Sequence, residues 1–380
     1  MLAMERLKNH LSDRSSTLGK LKKDGVKIVG YTPGGFMPEE IVHAAGAIPI
    51  CLLKGGDADS VIESLKYNPR FFCTFCKTQI SYLMGGDLVY NLPDILVVPH
   101  TDCNHKIIAD SWNYYGNADV FRYGVPHNKG ESARTYFKGG LELLKKKLED
   151  LTGNKVTDEK LDDEIQIGNK IRSLFKEISF ARKTNPAAIS SRDFTMLQHA
   201  STFADKDFIV QTLEAVRDEI KEKPTADKNR KRVMMIASSL ANGDNLVFDI
   251  IENTDADIVY EEVTEGYRPY LDNVEVNGND PIQNLSDTYF DKRVPAPWDR
   301  PWGDRMERLI EKAKEFSCKG VVWYQMMYRD GFDIQAHYFS KMIEDQAGIP
   351  MVKIESDYAP AEKGPARTRI ETLVEVMSAN

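Results

Sequence analysis

Long apolar runs are missing from this sequence: none approaches the roughly 20 residues that cross a bilayer, which argues against a helical membrane span. Its first residues, MLAMERLKNHLSDRSSTLGKLKK, contain no apolar core bounded by a small-residue cleavage site. They read as an amphipathic helix and not as a signal peptide, so the expected location is the cytoplasm. Cysteine is scarce and odd in number: five thiols in 380 residues do not make a disulfide framework, and a chain this long needs no staples. The thiols are expected to be reduced and free to bind metal. An excess of basic charge is absent too. With 50 basic against 58 acidic residues the net charge is -8, which argues against general affinity for nucleic acid.

What is present is an ordinary globular composition, 42% hydrophobic and 28% charged, over a length that at roughly 150 residues per domain implies two or three domains. Val26 to Tyr31 is a short β-branched run ended by Pro33-Gly34-Gly35. Pro38-Glu39-Glu40 then opens a helix, with proline and acids where a first turn favours them, and Gly46 ends it. Ile48 to Leu53 is extended again, so the opening reads as a βαβ unit with a parallel sheet. Further strands are expected at 94–98 and 119–123.

From about 130 to 225 the pattern becomes long, charged and helically periodic, as in 133–151 and 158–182. A second α/β series follows, with strands at 232–239, 256–260, 320–324 and 350–354. The expected fold class is α/β: two Rossmann-like lobes with parallel sheets, plus a helical N-terminal segment and a helical middle insertion. The boundaries fall at 1–24 for the N-terminal segment, 25–130 for the first lobe, 131–228 for the helical layer and 229–380 for the second lobe. No internal repeat is clear, although both lobes start with a strand and a small-residue loop. The stretch from about 268 to 303, rich in Pro, Asp, Asn and Trp, reads as a long loop, either a surface excursion packed by its own tryptophans or a substrate lid.

Chemistry concentrates in Phe72-Cys73-Thr74-Phe75-Cys76-Lys77-Thr78 and in Pro99-His100-Thr101-Asp102-Cys103-Asn104-His105. Two thiols three positions apart can face one metal from a single turn, and a third at a strand's C-terminal end lies where open α/β sheets gather ligands. Cys73, Cys76 and Cys103 form a candidate three-thiolate site. An iron–sulfur cluster suits thiolates and can leave one iron open. Structural zinc would need a fourth Cys or His in paired spacing, which only His100 or His105 could supply, and incidental buried cysteines are the remaining reading. Cys51 inside a strand and Cys318 before one read as core packing.

Several elements together resemble the benzoyl-CoA reductase and 2-hydroxyacyl-CoA dehydratase family, over nearly the whole chain. They are Gly30 to Pro33 with Pro38 to Ile50, the Cys73-x-x-x-Lys77 element, Cys103, and the C-terminal Lys353 to Asp357 and Gly364 to Glu371. The resemblance implies two α/β lobes with a [4Fe–4S] cluster between them. It also implies a paralogous partner subunit, an ATP-hydrolysing iron–sulfur activator that donates electrons, and a CoA thioester substrate. Family dehydratases carry a third cysteine in the second lobe in a Phe-Cys-Asp context; here that place falls in Met326 to Asp330, and Arg329 stands where cysteine would be. Cys76 then becomes the candidate third ligand. Tyr328-Arg329-Asp330 resembles the aromatic-ring-reducing branch more than the dehydratases, with Tyr328 as a proton source and Arg329 as a cation for developing negative charge. The competing reading is an ion pair of Arg329 with Asp330 or Asp333 at a strand end. A double-cubane branch needs six thiolates and is disfavoured by five. The basic run Lys228 to Arg232 reads as a solvated lead-in to a strand, with an anion site for a CoA phosphate as the alternative. On this resemblance the expected function is the iron–sulfur subunit of a benzoyl-CoA-type reductase. The alternatives are a subunit of a (R)-2-hydroxyacyl-CoA dehydratase and a non-catalytic electron-transfer or scaffold partner.

Overall fold

The computed structural model describes residues 1–222, 229–293 and 302–379. Helix α1 (Leu2–Lys23) leads into β1 (Ile28–Tyr31), α2 (Glu39–Ala44), β2 (Ile48–Cys51), α3 (Ala58–Ser64), α4 (Thr74–Met84), β3 (Ile95–His100), α5 (Cys103–Tyr115) and β4 (Asp119–Gly124). Four helices follow without a strand: α6 (Glu131–Thr152), α7 (Asp158–Ala181), α8 (Ser191–Ser201) and α9 (Lys206–Glu222). The second series is β5 (Lys231–Ala237), α10 (Leu246–Ile251), β6 (Ala256–Val263), α11 (Pro281–Ser286), α12 (Gly303–Glu315), β7 (Gly320–Met326), α13 (Asp330–Ala347), β8 (Met351–Ser356) and α14 (Lys363–Ala379).

Both sheets are four-stranded and parallel throughout, in the orders β2-β1-β3-β4 and β6-β5-β7-β8. The two orders are equivalent, so the architecture repeats where the residues do not. In such sheets the connection reverses direction between the first and third strands, and the loops at their C-terminal ends open a crevice. Each sheet supplies one such switch point, after β1 and β3 in one and after β5 and β7 in the other.

Strands covered on both faces read as continuous apolar runs, and alternate side chains go to opposite faces. In β5, Val233, Met235 and Ala237 join the core that spans the first sheet, while Met234 and Ile236 join a second core with Val321 and Trp323 of β7. The middle helices enter these cores through one stripe each. In α6 the buried residues are Ala133, Phe137, Leu141, Leu144 and Leu148, spaced by three or four. The first residues of α1 pack into the second core, through Ala3, Met4 and Leu7, although they precede the first sheet in sequence.

The stretch expected as one long loop is only partly a loop. Asp280 accepts the Gln283 amide at 3.1 Å and Pro281 takes the first helical position, which starts α11, and a π-helical turn covers Asp287–Lys292. The composition hid a helix whose start signal was proline itself. The tract 294–301, with its tryptophan, lies outside the described residues. So does Lys228, whereas Arg230 and Arg232 of the same basic run spend their guanidiniums on the carbonyls of Thr254 and Ala256, and of Phe316, Thr184 and Arg182.

The sheets also touch through backbone. Lys54 and Asn242 form an isolated parallel bridge, with Gly55 N–H donating to Asn242 O at 3.1 Å and Asn242 N–H to Leu53 O at 2.8 Å. This approach needs glycine: Gly56 has φ +85°, and a Cβ there would lie 2.5 Å from the Gly243 carbonyl. Gly56→Ala is expected to destabilise the protein by at least about 1 kcal/mol. Gly19→Ala, in a helix with open space, should stabilise it by a similar amount. Urea unfolding midpoints of the two variants check the contrast.

Candidate active site

Cys73 is the residue that starts α4 and Cys76 lies in its first turn, so spacing of three places both thiols on one side. Both are completely buried. The Cys73 amide donates to Asn104 Oδ1 at 2.8 Å, which ties the start of α4 to the first turn of α5. Burial works against a Cys73 thiolate, but hydrogen bonds from the Cys76 thiol and amide and the nearby Arg329 guanidinium outweigh it and bring this thiol down to about 6. Burial and the neighbouring Cys73 push Cys76 the other way.

Cys103 is the first residue of α5, one step after the capping Asp102, and it is exposed. Partial burial and the Asp102 charge raise its thiol. Among the described residues no three His, Cys, Asp or Glu side chains gather around a single ion position. Cys51, at the end of β2, and Cys318, before β7, lie in the two cores, where burial raises both thiols, Cys318 to about 12.

Arg329 follows β7 and is 6% exposed. Its partner is neither Asp330 nor Asp333, as sequence proximity suggested. Nη1 lies 3.1 Å from Asp102 Oδ2, so the loop after β7 is ion-paired to the loop after β3 in the other sheet. Asp333 instead meets Lys353 and Gln325. Asp102 is heavily used: it accepts the amides of Asn104 and His105 at 2.9 and 3.2 Å and faces His105 Nδ1 at 3.3 Å. Burial opposes its charge, but Arg329 and these donors hold the carboxyl well below the usual range. His105 reaches the loop after β1 through Nε2 and the Pro33 carbonyl, 3.2 Å apart.

Tyr328 adopts φ +66°, a left-handed conformation unusual for a tyrosine. Its ring meets Phe71 edge-on at 5.8 Å, and the ammonium of buried Lys77 stands 5.2 Å above it. The structure thus brings Cys73, Cys76, Tyr328 and Arg329 to facing ends of the two sheets, and sets Cys103 at the rim.

Sequence reading missed the acids. Asp102 had a visible signal, an Asp before a helix, but its role across the sheets had none. Glu265, after β6, accepts the Leu240 amide at 3.0 Å, and its carboxyl is pushed up to about 7, first by burial, with Arg329 and Arg268 opposing. Glu265 and Glu39 line a cavity of about 230 Å³ together with Tyr31, His43, Cys51 and Tyr270. Glu39 accepts from the Tyr31 hydroxyl, and burial, reinforced by Glu40, raises it to about 7.

Two outcomes follow from these charges. Removing one member of a buried pair costs about 3–5 kcal/mol, so Asp102→Ala should lose that much in urea unfolding, and the double variant Asp102→Ala/Arg329→Met should lose less than the single losses combined. Glu39 keeps in the folded chain a proton that the unfolded chain releases near 4.5. Its stabilisation is complete below that pH and disappears as pH rises through about 7, an effect on the order of 3 kcal/mol. Glu39→Gln should flatten the fall in stability between about pH 5 and 8, measured by unfolding at each pH.

The sequence pattern of one family, described as 2-hydroxyglutaryl-CoA dehydratase, D-component, matches residues 35–377. The chain is 24% identical over 359 residues to the (R)-phenyllactyl-CoA dehydratase beta subunit of Clostridium sporogenes, covering 94% of this chain and 93% of that protein. It is 23% identical over 375 residues to the (R)-2-hydroxyglutaryl-CoA dehydratase subunit beta of Acidaminococcus fermentans, covering 94% of each. It is also 24% identical over 301 residues to one of the subunits of benzoyl-CoA reductase from Thauera aromatica, covering 78% and 77%. With a match over most of its length, the chain belongs to the 2-hydroxyglutaryl-CoA dehydratase D-component family.

Proposed function

We propose that this chain is the iron–sulfur subunit of an ATP-dependent, low-potential aromatic acyl-CoA reductase of the benzoyl-CoA type, acting by single-electron transfer to a CoA thioester. The observation that carries this reading is the buried Cys73–Cys76 pair with the Arg329 guanidinium beside it. Cys73, Cys76 and Cys103 would hold a [4Fe–4S] cluster. A cubane spreads its thiolates over separate irons, so three thiols at two adjoining helix starts suit it better than they suit one zinc ion. When bound, the cluster supplies low-potential electrons one at a time.

The remaining work falls to the chain's own groups. Arg329 offers a fixed cation to a thioester oxygen as negative charge grows on it, and Asp102 sets its direction. The Tyr328 hydroxyl, on the residue before Arg329, serves as a proton source. The surrounding apolar packing keeps water from the reduced site. The reading includes a paralogous partner subunit, a separate ATP-hydrolysing iron–sulfur activator and a cytoplasmic location; the names of the relatives, each one subunit of a larger enzyme, support a hetero-oligomer.

A second reading, a subunit of a (R)-2-hydroxyacyl-CoA dehydratase, is favoured by the fuller alignment with dehydratase subunits, 93–94% of their length against 77% for the reductase relative. The hold of Asp102 on Arg329 favours a third, an electron-transfer or scaffold partner of a paralogous catalytic chain.

Anaerobic purification should yield iron and sulfide in equal amounts, depleted by Cys73→Ala and Cys103→Ala and retained in Cys51→Ala and Cys318→Ala. Stoichiometric zinc without iron would remove the reading. In the assembled complex, Arg329→Ala should lower turnover of aromatic CoA thioesters by about one to three orders of magnitude with iron content unchanged. A complex that dehydrates 2-hydroxyacyl-CoA and never reduces an aromatic ring would select the second reading.

A further inference from the structure

A second cavity, of about 260 Å³, lies between the last turns of α7, β6 and one side of α12. Tyr260 and Glu262 enter its wall from the same face of β6, being two apart in a strand. Arg305, Arg308, Lys312 and Phe316 follow one another by three or four places, so a single line along α12 and its end supplies another wall. This cavity has no lining residue in common with the one that holds Glu39 and Glu265, and no cysteine lines it.

Part of the lining is aromatic. The rings of Phe180, Phe316, Tyr260 and Tyr267 run in series, with neighbouring centroids 6.4, 5.0 and 6.2 Å apart. Phe180 is 39% exposed, so the series reaches the surface. Such a wall suits a flat ring, which stacks on aromatic faces.

The other part is cationic. Lys176, Arg305, Arg308 and Lys312 line the cavity against two acids, Glu262 and Asp272, an excess of two positive charges. Glu262 is shared by Arg268 and Arg305, at 2.5 and 2.6 Å, and the buried Arg305 keeps its Nε without an acceptor. Lys312 is held by Glu315, which Lys183 shares. Lys176 and Arg308 are exposed and have no carboxylate partner among the described residues; the one contact of the Arg308 guanidinium is the Lys292 carbonyl at 3.4 Å. Two cations from different helices are thus available to an anion at the same cavity. Ammonium point charges and a guanidinium are the usual partners of phosphate, whose two charges match the excess where a single carboxylate would not.

We propose that this cavity binds a nucleoside monophosphate, with the base against the aromatic series and the phosphate between Lys176 and Arg308. The site is separate from the cysteines, so failure of this proposal and failure of the reaction proposed above are independent.

The test is binding of AMP, adenosine, inorganic phosphate and benzoate to the full chain at matched ionic strength, by calorimetry and by melting temperature. AMP should bind saturably and raise the melting temperature by about 2–4 °C at a hundredfold excess over its Kd. Adenosine, phosphate and benzoate should each bind at least about tenfold more weakly. The double variant Lys176→Ala/Arg308→Ala, changed only at exposed helix positions, should need at least about tenfold more AMP and bind adenosine as before. Phe180→Ala should weaken AMP and adenosine alike by about tenfold and leave phosphate unchanged. Urea midpoints measured without ligand show that the variants are folded. No saturable response to AMP, an unchanged AMP affinity in the double variant, or adenosine, phosphate or benzoate binding as tightly as AMP would each overturn the proposal.

Discussion

The contact on which the rest of the site depends is the ion pair between Asp102 and Arg329. It joins the ends of β3 and β7, strands that occupy the same place in two sheets of equivalent order. Both partners are buried, so neither charge is screened by water and neither can be left alone. Asp102 is fixed from three sides, as the cap of α5, as a partner of His105 and as the counter-charge of Arg329. Through it the position of the guanidinium is tied to the first turn of α5, through Asn104 to the start of α4, and through His105 to the loop after β1. Four chain segments at two switch points are thereby held in one frame. The glycine-dependent bridge between Lys54 and Asn242 adds a second attachment a short way off, made of backbone and needing no charge.

The frame also distributes charge. Arg329 stands between an acid that needs a cation and a thiol that becomes a thiolate when a cation is near. Cys73 therefore owes its low value partly to a residue in the other sheet. The Arg329 guanidinium gives this side of the site a positive wall. Such a wall favours species carrying extra negative charge, whether a thiolate or an oxygen taking up an electron.

How much of this was legible in the sequence follows from the range of each interaction. Strands such as Val26 to Tyr31 and Gly320 to Tyr324 announce themselves through continuous β-branched and apolar residues, because both faces of a parallel sheet are covered. The long helices from Glu131 to Ala181 are readable from buried residues every third or fourth place. The thiols at 73, 76 and 103 could be named because spacing along one turn and position at a strand end are local properties. Asp102 and Arg329 are 227 positions apart, and nothing local distinguishes that pair from the adjacent Arg329–Asp330. Helix α11 was hidden for a different reason, since proline and aspartate start helices as well as break them. The burial of Glu39 and Glu265 is a property of the packed layers and has no trace in composition.

The two equivalent sheets have diverged in what they place at equivalent points, and that divergence makes the site polar in one direction. The first sheet contributes the thiols and the acid cap, on the starts of α4 and α5, and the second contributes Arg329, Glu265 and Asp244 at the ends of its strands and the loops after them. Asp244, which accepts the Tyr324 hydroxyl at 2.6 Å, is raised by burial to about 6, and Glu265 to about 7. Near neutrality these acids exchange protons readily, whereas Asp102 and Glu40 stay ionised with their arginines. Electron-rich sulfur thus lies on loops of one sheet and proton-holding carboxyls on loops of the other, with the Arg329 guanidinium acting on both Cys73 and Glu265. That arrangement keeps the low-lying thiol and the acids that hold protons on loops of different sheets. Two copies of one architecture supply it without a new fold, by giving the switch points of each sheet opposite chemistry and fixing their distance with a single buried pair.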